Sequence, residues 1–242
     1  MAADSEDIFG RAIRKLGRLA HLDETDRQAI HALPARIETH PAHYVLVRDG
    51  ARVTHLSLLI DGFACRLKET RNGGRQIVSV HLPGDALDLQ HMFLRHSRHV
   101  VQTLSPATVA RVSVEDFRAL AADRPRIAEA LWLDMSIDAS IAREWIVNIG
   151  RRDALARIAH LLCEYAARRD AAGFGSPEHF ELPMTQEQIG DATGLTSVHV
   201  NRKLHDLEEI GAISRDRRDL HIRDWPRLMR IGDFDPAYLH AA

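Results

Sequence analysis

TQEQIGDATGLTSVHVNRKLHDLEEIGAI, residues 185–213, predicts two short helices joined by a tight turn. Thr185 and the glutamine three residues later form the pattern of a self-capping helix start. Gly194 suits the turn because glycine adopts left-handed backbone angles without strain, and Thr196 can cap a second helix. The next segment, AISRDRRDLHI at residues 212–222, predicts two short strands around a tip of aspartate and arginine. Together these elements predict a winged helix-turn-helix.

The second helix of this motif, called here the recognition helix, has one apolar and one polar face. Val200, Leu204 and Leu207 recur at helical spacing and are predicted to face the core. The first turns of such a helix reach base edges in the major groove, where Arg202 can make two hydrogen bonds to guanine. A surface ion pair with the acidic residues that follow it on the helix is the alternative for this arginine. The predicted base contacts are Arg202, Val198, Asn201 and Ser197.

Charge indicates a nucleic-acid partner in only one part of the chain. The net charge of −2 gives no general argument for nucleic acid. Residues 211–230, however, contain six arginines against three aspartates, a local basic excess of the kind that meets phosphate. The predicted partner is double-stranded DNA. The predicted phosphate contacts are Thr185, Thr196, His199, Arg215, Arg217 and Arg218.

Cysteine usage and hydropathy indicate a cytoplasmic protein. Cys65 and Cys163 lie far apart and neither belongs to a CxxC motif, which argues against a four-cysteine iron–sulfur site and a disulfide framework. The longest apolar run, LSLLI, is too short to cross a bilayer, so no membrane association is expected.

The first half of the chain has a different pattern, with a change near residue 44. Short runs rich in β-branched residues, such as YVLV, THLSLLI and QIVSVHL, alternate with turn signals such as RNGG and LPGD. This pattern predicts a β-roll of the jelly-roll type. Short helices are expected over residues 5–33, and Ser113 can cap a helix after the roll. The fold class is therefore α+β, with a β-roll domain at 1–123, a long helix at 124–150 and a winged helix-turn-helix domain at 151–242.

The long helix, opened by Pro125, carries two apolar stripes with the same heptad-like spacing. The first consists of Trp132, Met135, Ala139, Ala142, Ile146 and Ile149. The second consists of Ile127, Leu131, Asp134, Asp138, Ile141 and Trp145. Burying unpaired carboxylates costs free energy, so the first stripe is the predicted dimer seam. The alternative is a core helix packed only within its own chain.

A β-roll, a long helix and a C-terminal winged helix-turn-helix, in this order, resemble the Crp/Fnr superfamily of bacterial transcription regulators. The motif at 185–213 and the stretch GRRDALARIAHLL, residues 150–162, carry most of the resemblance. It implies that a cyclic-nucleotide-binding-like β-roll senses a signal and that a homodimer binds a two-fold-related DNA site, with RNA polymerase as a further candidate partner. Arg202 falls on the family's guanine-reading arginine. Val198 stands where many members carry a glutamate that accepts from cytosine, so the DNA half-site is expected to differ.

The sensing domain departs from members that bind cyclic AMP. Those members hold the phosphate with a Gly-Glu-Leu turn followed by an Arg-Ser pair. Here Gly84 and Asp85 are present, but Arg98 is displaced, and Ala142 and Arg143 stand where hydroxyls would touch the adenine. Cyclic AMP is therefore not the expected effector. The weak candidates for an effector pocket are Gly84, Asp85, Arg98 and Arg143.

Histidines are numerous and raise the question of a metal. His91, His96 and His99, with His81, form the densest group. No cysteine or second spaced pair completes a tetrahedral set, so a polar loop at the rim of the roll is the favoured interpretation, with no metal or cofactor. No nucleophile–base motif or cupin-like histidine pair is evident, so an enzyme is not expected. A signalling module that binds a ligand and a protein partner without DNA is the alternative function.

Overall fold

The computed structural model describes residues 8–240 and divides into two compact units. The first unit contains the described residues up to Lys68 together with Val80–Asp138. The second contains Glu69–Ser79 and the described residues from Ala139 onward. The outer limits of the predicted domains, residues 1 and 242, lie outside the described residues. The division falls inside the long helix rather than at its two ends, and the two predicted domain boundaries stay a prediction.

Two helices precede the β-roll, as the apolar spacing predicts. They are α1 (Gly10–Leu19) and α2 (Glu24–His31), and residues 5–7 of the predicted helical stretch lie outside the described part. Asp23 caps α2 in a reciprocal capping box. Ile13 and Leu16 of α1 are buried in the larger core cluster of the first unit. The apolar face of α1 thus packs against the core of the first unit.

The predicted β-roll is confirmed as two antiparallel sheets. One has the strand order β1-β7-β3 and the other the order β2-β6-β4-β5. The strands are β1 (Ala35–His40), β2 (Val45–Val47), β3 (His55–Asp61), β4 (Ala64–Glu69), β5 (Arg75–His81), β6 (Val100–Thr103) and β7 (Ala107–Ser113). Leu59, Leu87, Val101 and Val109 form a small apolar cluster in the roll. The sequence missed β1, because ARIETH has no apolar alternation.

Two helices follow the roll. Helix α3 (Val114–Asp123) begins where Ser113 Oγ accepts a hydrogen bond from the Asp116 amide at 3.0 Å, the predicted cap. Helix α4 (Pro125–Arg151) has 27 residues and starts at the predicted proline. Ile127, Ala130 and Leu131 from its first turns join the core cluster of the first unit. The long helix is thereby confirmed.

The second unit holds the helix-turn-helix. Its helices are α5 (Ala154–Ala171), α6 (Gln186–Thr193), α7 (Ser197–Glu209) and α8 (Trp225–Gly232), and its strands are β8 (His179–Glu181), β9 (Ile213–Asp216) and β10 (Asp219–Ile222). The strands pair in the order β8-β10-β9, so the two predicted wing strands gain a third. The sequence predicted neither β8 nor α8. The segment Glu69–Ser79, which includes the turn between β4 and β5 and most of β5, also belongs to this unit. Gln76 Nε2 of β5 donates to the Ala192 carbonyl at 3.3 Å.

A buried carboxylate ties several elements of the second unit together. Glu164 on α5 accepts hydrogen bonds from Trp145 Nε1 at 2.9 Å and from the Tyr238 hydroxyl at 2.8 Å. Burial raises the pKa of Glu164 above its ordinary value, although the neighbouring Arg168 opposes this shift. Gly232 of α8 lies so close to His160 of α5 that a Cβ would be 2.7 Å from the His160 amide nitrogen. The helix-turn-helix therefore rests on a tightly packed α5–α8 support.

Close packing inside the motif makes Gly190 a sensitive position. A Cβ at Gly190 would lie 2.4 Å from the Leu195 carbonyl oxygen, so α6 and the turn would have to separate. We expect Gly190→Ala to lower the free energy of unfolding by about 1–3 kcal/mol, the usual cost of overpacking. Urea denaturation followed by circular dichroism measures this loss.

Gly150→Ala is the matched control. A Cβ at Gly150, in the last turn of α4, meets no described atom within 4 Å. Alanine has the higher helix propensity, so the stability of this variant should be unchanged or slightly higher. Equal urea midpoints for the two variants, at equal protein concentration, would contradict the close contact between Gly190 and Leu195.

Candidate nucleic-acid interface

Two self-capped helices build the motif from its own sequence. Thr185 Oγ1 accepts from the Gln188 amide at 3.2 Å, and Gln188 Oε1 accepts from the Thr185 amide at 2.8 Å. Gly194 ends α6 with a left-handed φ of 69°. Thr196 Oγ1 then accepts from the His199 amide at 3.3 Å and starts α7. The predicted helix starts are confirmed, and the side chains of Thr185 and Thr196 serve as helix caps.

The recognition helix is α7, and its two faces lie as predicted. Val200, Leu204 and Leu207 are buried. On the opposite side Val198 is 80% exposed, and Ser197, Asn201 and Arg202 are exposed as well. His199 is half-buried at the edge of this face. The four predicted base contacts therefore share one open surface.

Arg202 is available on that surface. No ion pair within 4 Å joins it to Asp206, Glu209 or any other acidic group among residues 8–240. Asp206 instead pairs with Lys203 at 2.6 Å, and Glu209 lies 3.4 Å from His205 Nε2. The acidic residues of α7 thus take other partners, and the guanidinium of Arg202 points to solvent. Asn201 is partly engaged, since its Oδ1 accepts from Gln186 Nε2 at 3.0 Å.

The wing arginines divide into two groups. Arg217, with a φ of 56°, and Arg218 lie exposed at the turn between β9 and β10. Arg215 is half-buried and donates through Nη2 and Nε to the Glu208 carboxylate at 2.8 and 3.1 Å. Hydrogen bonding from Arg215 lowers the pKa of Glu208. Arg215 therefore differs from its predicted role: its guanidinium is committed to joining the wing to α7 rather than left open for phosphate.

Helix α4 has one buried and one exposed stripe. Leu131, Asp134 and Trp145 of the rival stripe are buried in their own units. Trp132 is 59% and Ile146 71% exposed, and Ala139 and Ala142 are exposed as well, whereas Met135 and Ile149 are half-buried. Leu133 and Val147 are also exposed apolar side chains of α4, but each lies about 100° round the helix from its stripe neighbour, Trp132 or Ile146. The predicted seam is thus an uncovered apolar surface of the described chain.

The two carboxylates of the rival stripe are paired. Asp134 lies 2.6 Å from Lys15 Nζ, and Asp138 binds Arg66 of β4. Burial alone would lower the pKa of Lys15, but the carboxylates of Asp134 and Asp85 outweigh it and raise that pKa. The sequence analysis treated these carboxylates as unpaired, and the structure shows that both are paired. Their cations come from α1 and β4, which the spacing along α4 could not reveal.

The weak effector candidates are divided between the two units. Asp85 is buried, with Oδ1 at 2.8 Å from Lys15 Nζ and Oδ2 accepting from the Leu82 amide at 2.9 Å. A Cβ on Gly84 would lie 3.2 Å from the backbone of Arg11, so α1 packs directly against this turn. Arg98 is exposed, and the exposed Arg143 belongs to the second unit. The negative charge of Asp85 is thus balanced by Lys15 of the same chain.

The histidine-rich segment separates into different environments. His96 is exposed, whereas His81 is buried beside Asp85, and burial lowers the pKa of His81. His91 and His99 approach each other together with Asp88, which the sequence analysis did not include. The spacing of Asp88 and His91, three residues apart, is the signal that could have drawn attention to this carboxylate. Cys65 and Cys163 are both buried and lie in different units.

Among residues 8–240, no helix combines the length and apolar character needed to cross a membrane.

Two domain families and several known regulators match this chain. Residues 156–231 match the family of the Crp-like helix-turn-helix domain, and residues 37–124 match the cyclic nucleotide-binding domain. The nitrogen fixation regulation protein FixK of Azorhizobium caulinodans is 30% identical over 184 residues, which are 76% of this chain and 73% of that protein. The transcriptional activator protein FnrL of Cereibacter sphaeroides is 29% identical over 201 residues, 79% and 78% of the two chains.

A solved structure with a similar fold is that of FixK2 from Bradyrhizobium japonicum. It superposes with a TM-score of 0.76 at 24% identity and covers 82% of this chain and 98% of that chain. The agreement extends over both the β-roll and the winged helix-turn-helix.

Proposed function

Because the chain belongs to the Crp/Fnr family of DNA-binding transcription regulators, we propose that it acts as a homodimer whose two recognition helices read a two-fold-related DNA site. The observation that carries the proposal is the open face of α7, on which Arg202 forms no ion pair within 4 Å among the described residues, although the hydrogen bond from Lys203 and the charge of Arg202 both lower the pKa of Asp206. Such a face, followed by a basic wing tip, suits a helix that lies in the major groove. The dimer supplies the second helix and makes the site symmetric.

Base recognition in this proposal rests on two neighbouring side chains. Arg202 reads guanine through the two parallel N–H groups of its guanidinium, which match the O6 and N7 acceptors. Val198 offers no hydrogen bond, but its exposed methyl groups suit contact with the methyl group of thymine. Asn201 and Ser197 are further candidates for base contacts. The preferred half-site should therefore differ from that of members with glutamate at this position.

Phosphate contacts in the proposal come from the edges of the motif. Thr185, Thr196 and His199 lie at the helix starts, where free amides and hydroxyls suit phosphate oxygens. Arg217 and Arg218 at the wing tip add positive charge on the exposed turn. Arg215 acts instead through Glu208, by holding the wing against α7.

The dimer in this proposal forms along α4. The stripe contains Trp132, Met135, Ala139, Ala142, Ile146 and Ile149. Exposed apolar surface of this extent on a helix is typical of a partner interface. A second copy of the same helix is the proposed occupant, because the heptad-like spacing suits helix-on-helix packing.

The proposed regulator works in the cytoplasm, has no enzymatic activity, and has RNA polymerase as a candidate partner. Any effector of this regulator is a small molecule other than cyclic AMP. The internal pairing of Asp85 with Lys15 supports this exclusion.

Arg202→Ala tests the proposed base contact. We expect the affinity for the tightest-binding DNA sequence to fall by about 5- to 150-fold, which corresponds to the 1–3 kcal/mol of a bidentate guanine contact. Affinity for unrelated DNA should change little. Fluorescence anisotropy titrations at one fixed salt concentration measure both affinities.

Arg217→Ala is the matched control, because it removes the same guanidinium from the wing tip. This variant should weaken binding to both DNA sequences by a similar factor. An equal loss for both sequences in Arg202→Ala would instead make Arg202 a phosphate contact and overturn its proposed role.

Ala139→Glu tests the proposed seam. A carboxylate at the centre of an apolar helix pair would be buried without a partner, so the dimer should dissociate to the mass of one 27.2 kDa chain. Since Ala139 is exposed in the single chain, the far-ultraviolet circular dichroism should be unchanged. Multi-angle light scattering measures the mass. The control Ala139→Ser should stay dimeric, and an unchanged mass for Ala139→Glu would assign the dimer to another face.

A further inference from the structure

Three potential metal ligands of the first unit lie close together outside the DNA-binding motif. Asp88 precedes the 3₁₀ turn Leu89–Met92, His91 lies within it, and His99 immediately precedes β6. One ligand-type atom of each residue lies within 4.8 Å of the other two. Asp88 and His91 are each only 2% exposed, and the side chain of His99 is 14% exposed. The cluster is therefore at the edge of the core rather than on the surface.

His91 presents a free nitrogen lone pair to this cluster. Its Nδ1 lies 2.9 Å from the Leu94 carbonyl oxygen, which can only accept, so Nδ1 carries the proton. Nε2 is then the unprotonated nitrogen of the neutral ring. It is buried and has no hydrogen-bond partner among the described residues. A carbonyl that fixes the ring in this way is the usual second partner of a metal-binding histidine.

Asp88 presents a second unsatisfied acceptor to the same space. Its Oδ2 is buried without a hydrogen-bond partner among residues 8–240 and lies 3.8 Å from His91 Nε2. Two buried acceptors that face each other without a donor are costly. Ligand atoms of a tetrahedral ion with metal–ligand lengths of about 2.0–2.2 Å are separated by about 3.3–3.5 Å. A shift of a few tenths of an ångström would therefore let one cation satisfy both atoms.

We propose that Asp88, His91 and His99 form a site for a divalent transition-metal ion. His99 is the third ligand. Its Nε2 lies 2.8 Å from Asp88 Oδ1 and donates a proton to it in the metal-free chain. When the ion binds, this proton passes to solvent and the nitrogen lone pair turns to the metal. Three protein ligands leave at least one coordination position open for water or another ligand.

The donor set selects the class of ion. Two imidazoles and one carboxylate suit zinc and ferrous iron, whereas magnesium and calcium prefer oxygen ligands. Zn²⁺ and Fe²⁺ share this ligand chemistry, and separate titrations distinguish them.

The nearby Arg66 is compatible with a cation at this site. Its Nε donates to the Leu87 carbonyl at 2.7 Å and lies 3.4 Å from Asp88 Oδ1, which is the oxygen on the side of His99. Its Nη1 binds the Asp138 carboxylate, which offsets the guanidinium charge. The second oxygen of Asp88, Oδ2, is thereby left for the ion.

Binding of the ion would link the two ends of the loop between His91 and His99. Residues 93–98 connect His91 to His99, and this loop carries the exposed apolar side chains of Phe93 and Leu94, 60% and 57% exposed. An ion held from both ends of the loop would stabilise the folded first unit. This inference goes beyond DNA binding and does not depend on it.

Metal titration of the full-length chain tests the proposal. The protein is treated with a chelator, dialysed, and titrated separately with Zn²⁺, Co²⁺, anaerobic Fe²⁺ and Mg²⁺. Visible absorption of Co²⁺ and elemental analysis give the stoichiometry. We expect one equivalent of Zn²⁺ or Fe²⁺ per chain, an increase in the thermal unfolding temperature, and no effect of Mg²⁺ at the same concentration.

Three variants locate the ion. Asp88→Asn and His99→Gln preserve side-chain size and should bind Zn²⁺, Co²⁺ or Fe²⁺ at least tenfold more weakly, without the rise in unfolding temperature. His96→Gln changes an exposed histidine of the same segment and should behave like the wild type. Circular dichroism shows whether each variant folds. If Asp88→Asn does not fold, the metal affinity of His99→Gln alone tests the site. Absence of binding by the wild type, or equal affinity in His99→Gln, would overturn the proposal.

Discussion

The structure depends on how α4 distributes its apolar surface. A helix of 27 residues with apolar side chains on more than one face cannot bury all of them against a single β-roll. One face is held within the chain, and its two carboxylates are neutralised by Lys15 and Arg66. The adjacent stripe leaves Trp132 and Ile146 in solvent. The proposed homodimer follows from this imbalance, because a second copy of the helix is the partner that its spacing suits.

The DNA-binding motif could be predicted in detail because its signals are local. Caps at Thr185 and Thr196, the left-handed glycine at 194 and the apolar positions of α7 all lie within a few residues of the contacts they make. Local propensity and packing agree there, which is the condition under which sequence patterns are reliable. The same agreement holds for Ser113 and Pro125 at the starts of α3 and α4.

The features that the sequence missed are contacts between different elements of the chain. Strand β1 has little apolar alternation and is recognisable only by its pairing with β7, about seventy residues later. The bond between Arg215 and Glu208 joins a strand to a helix, and Lys15 reaches Asp134 from the other end of the unit. Asp88 was absent from the predicted metal ligands because only the histidines of its segment were considered. In each case the sequence contains both residues, but its local pattern does not indicate that they are in contact.

The central claim is that two recognition helices of one homodimer read a symmetric DNA site. Repeated selection of bound sequences from a random DNA pool, with the purified full-length chain, tests it most directly. The account predicts an enriched inverted repeat with a guanine in each half and half-site centres about one helical turn, roughly 34–36 Å, apart. Enrichment of a single unrepeated element, or no enrichment over the starting pool, would contradict it.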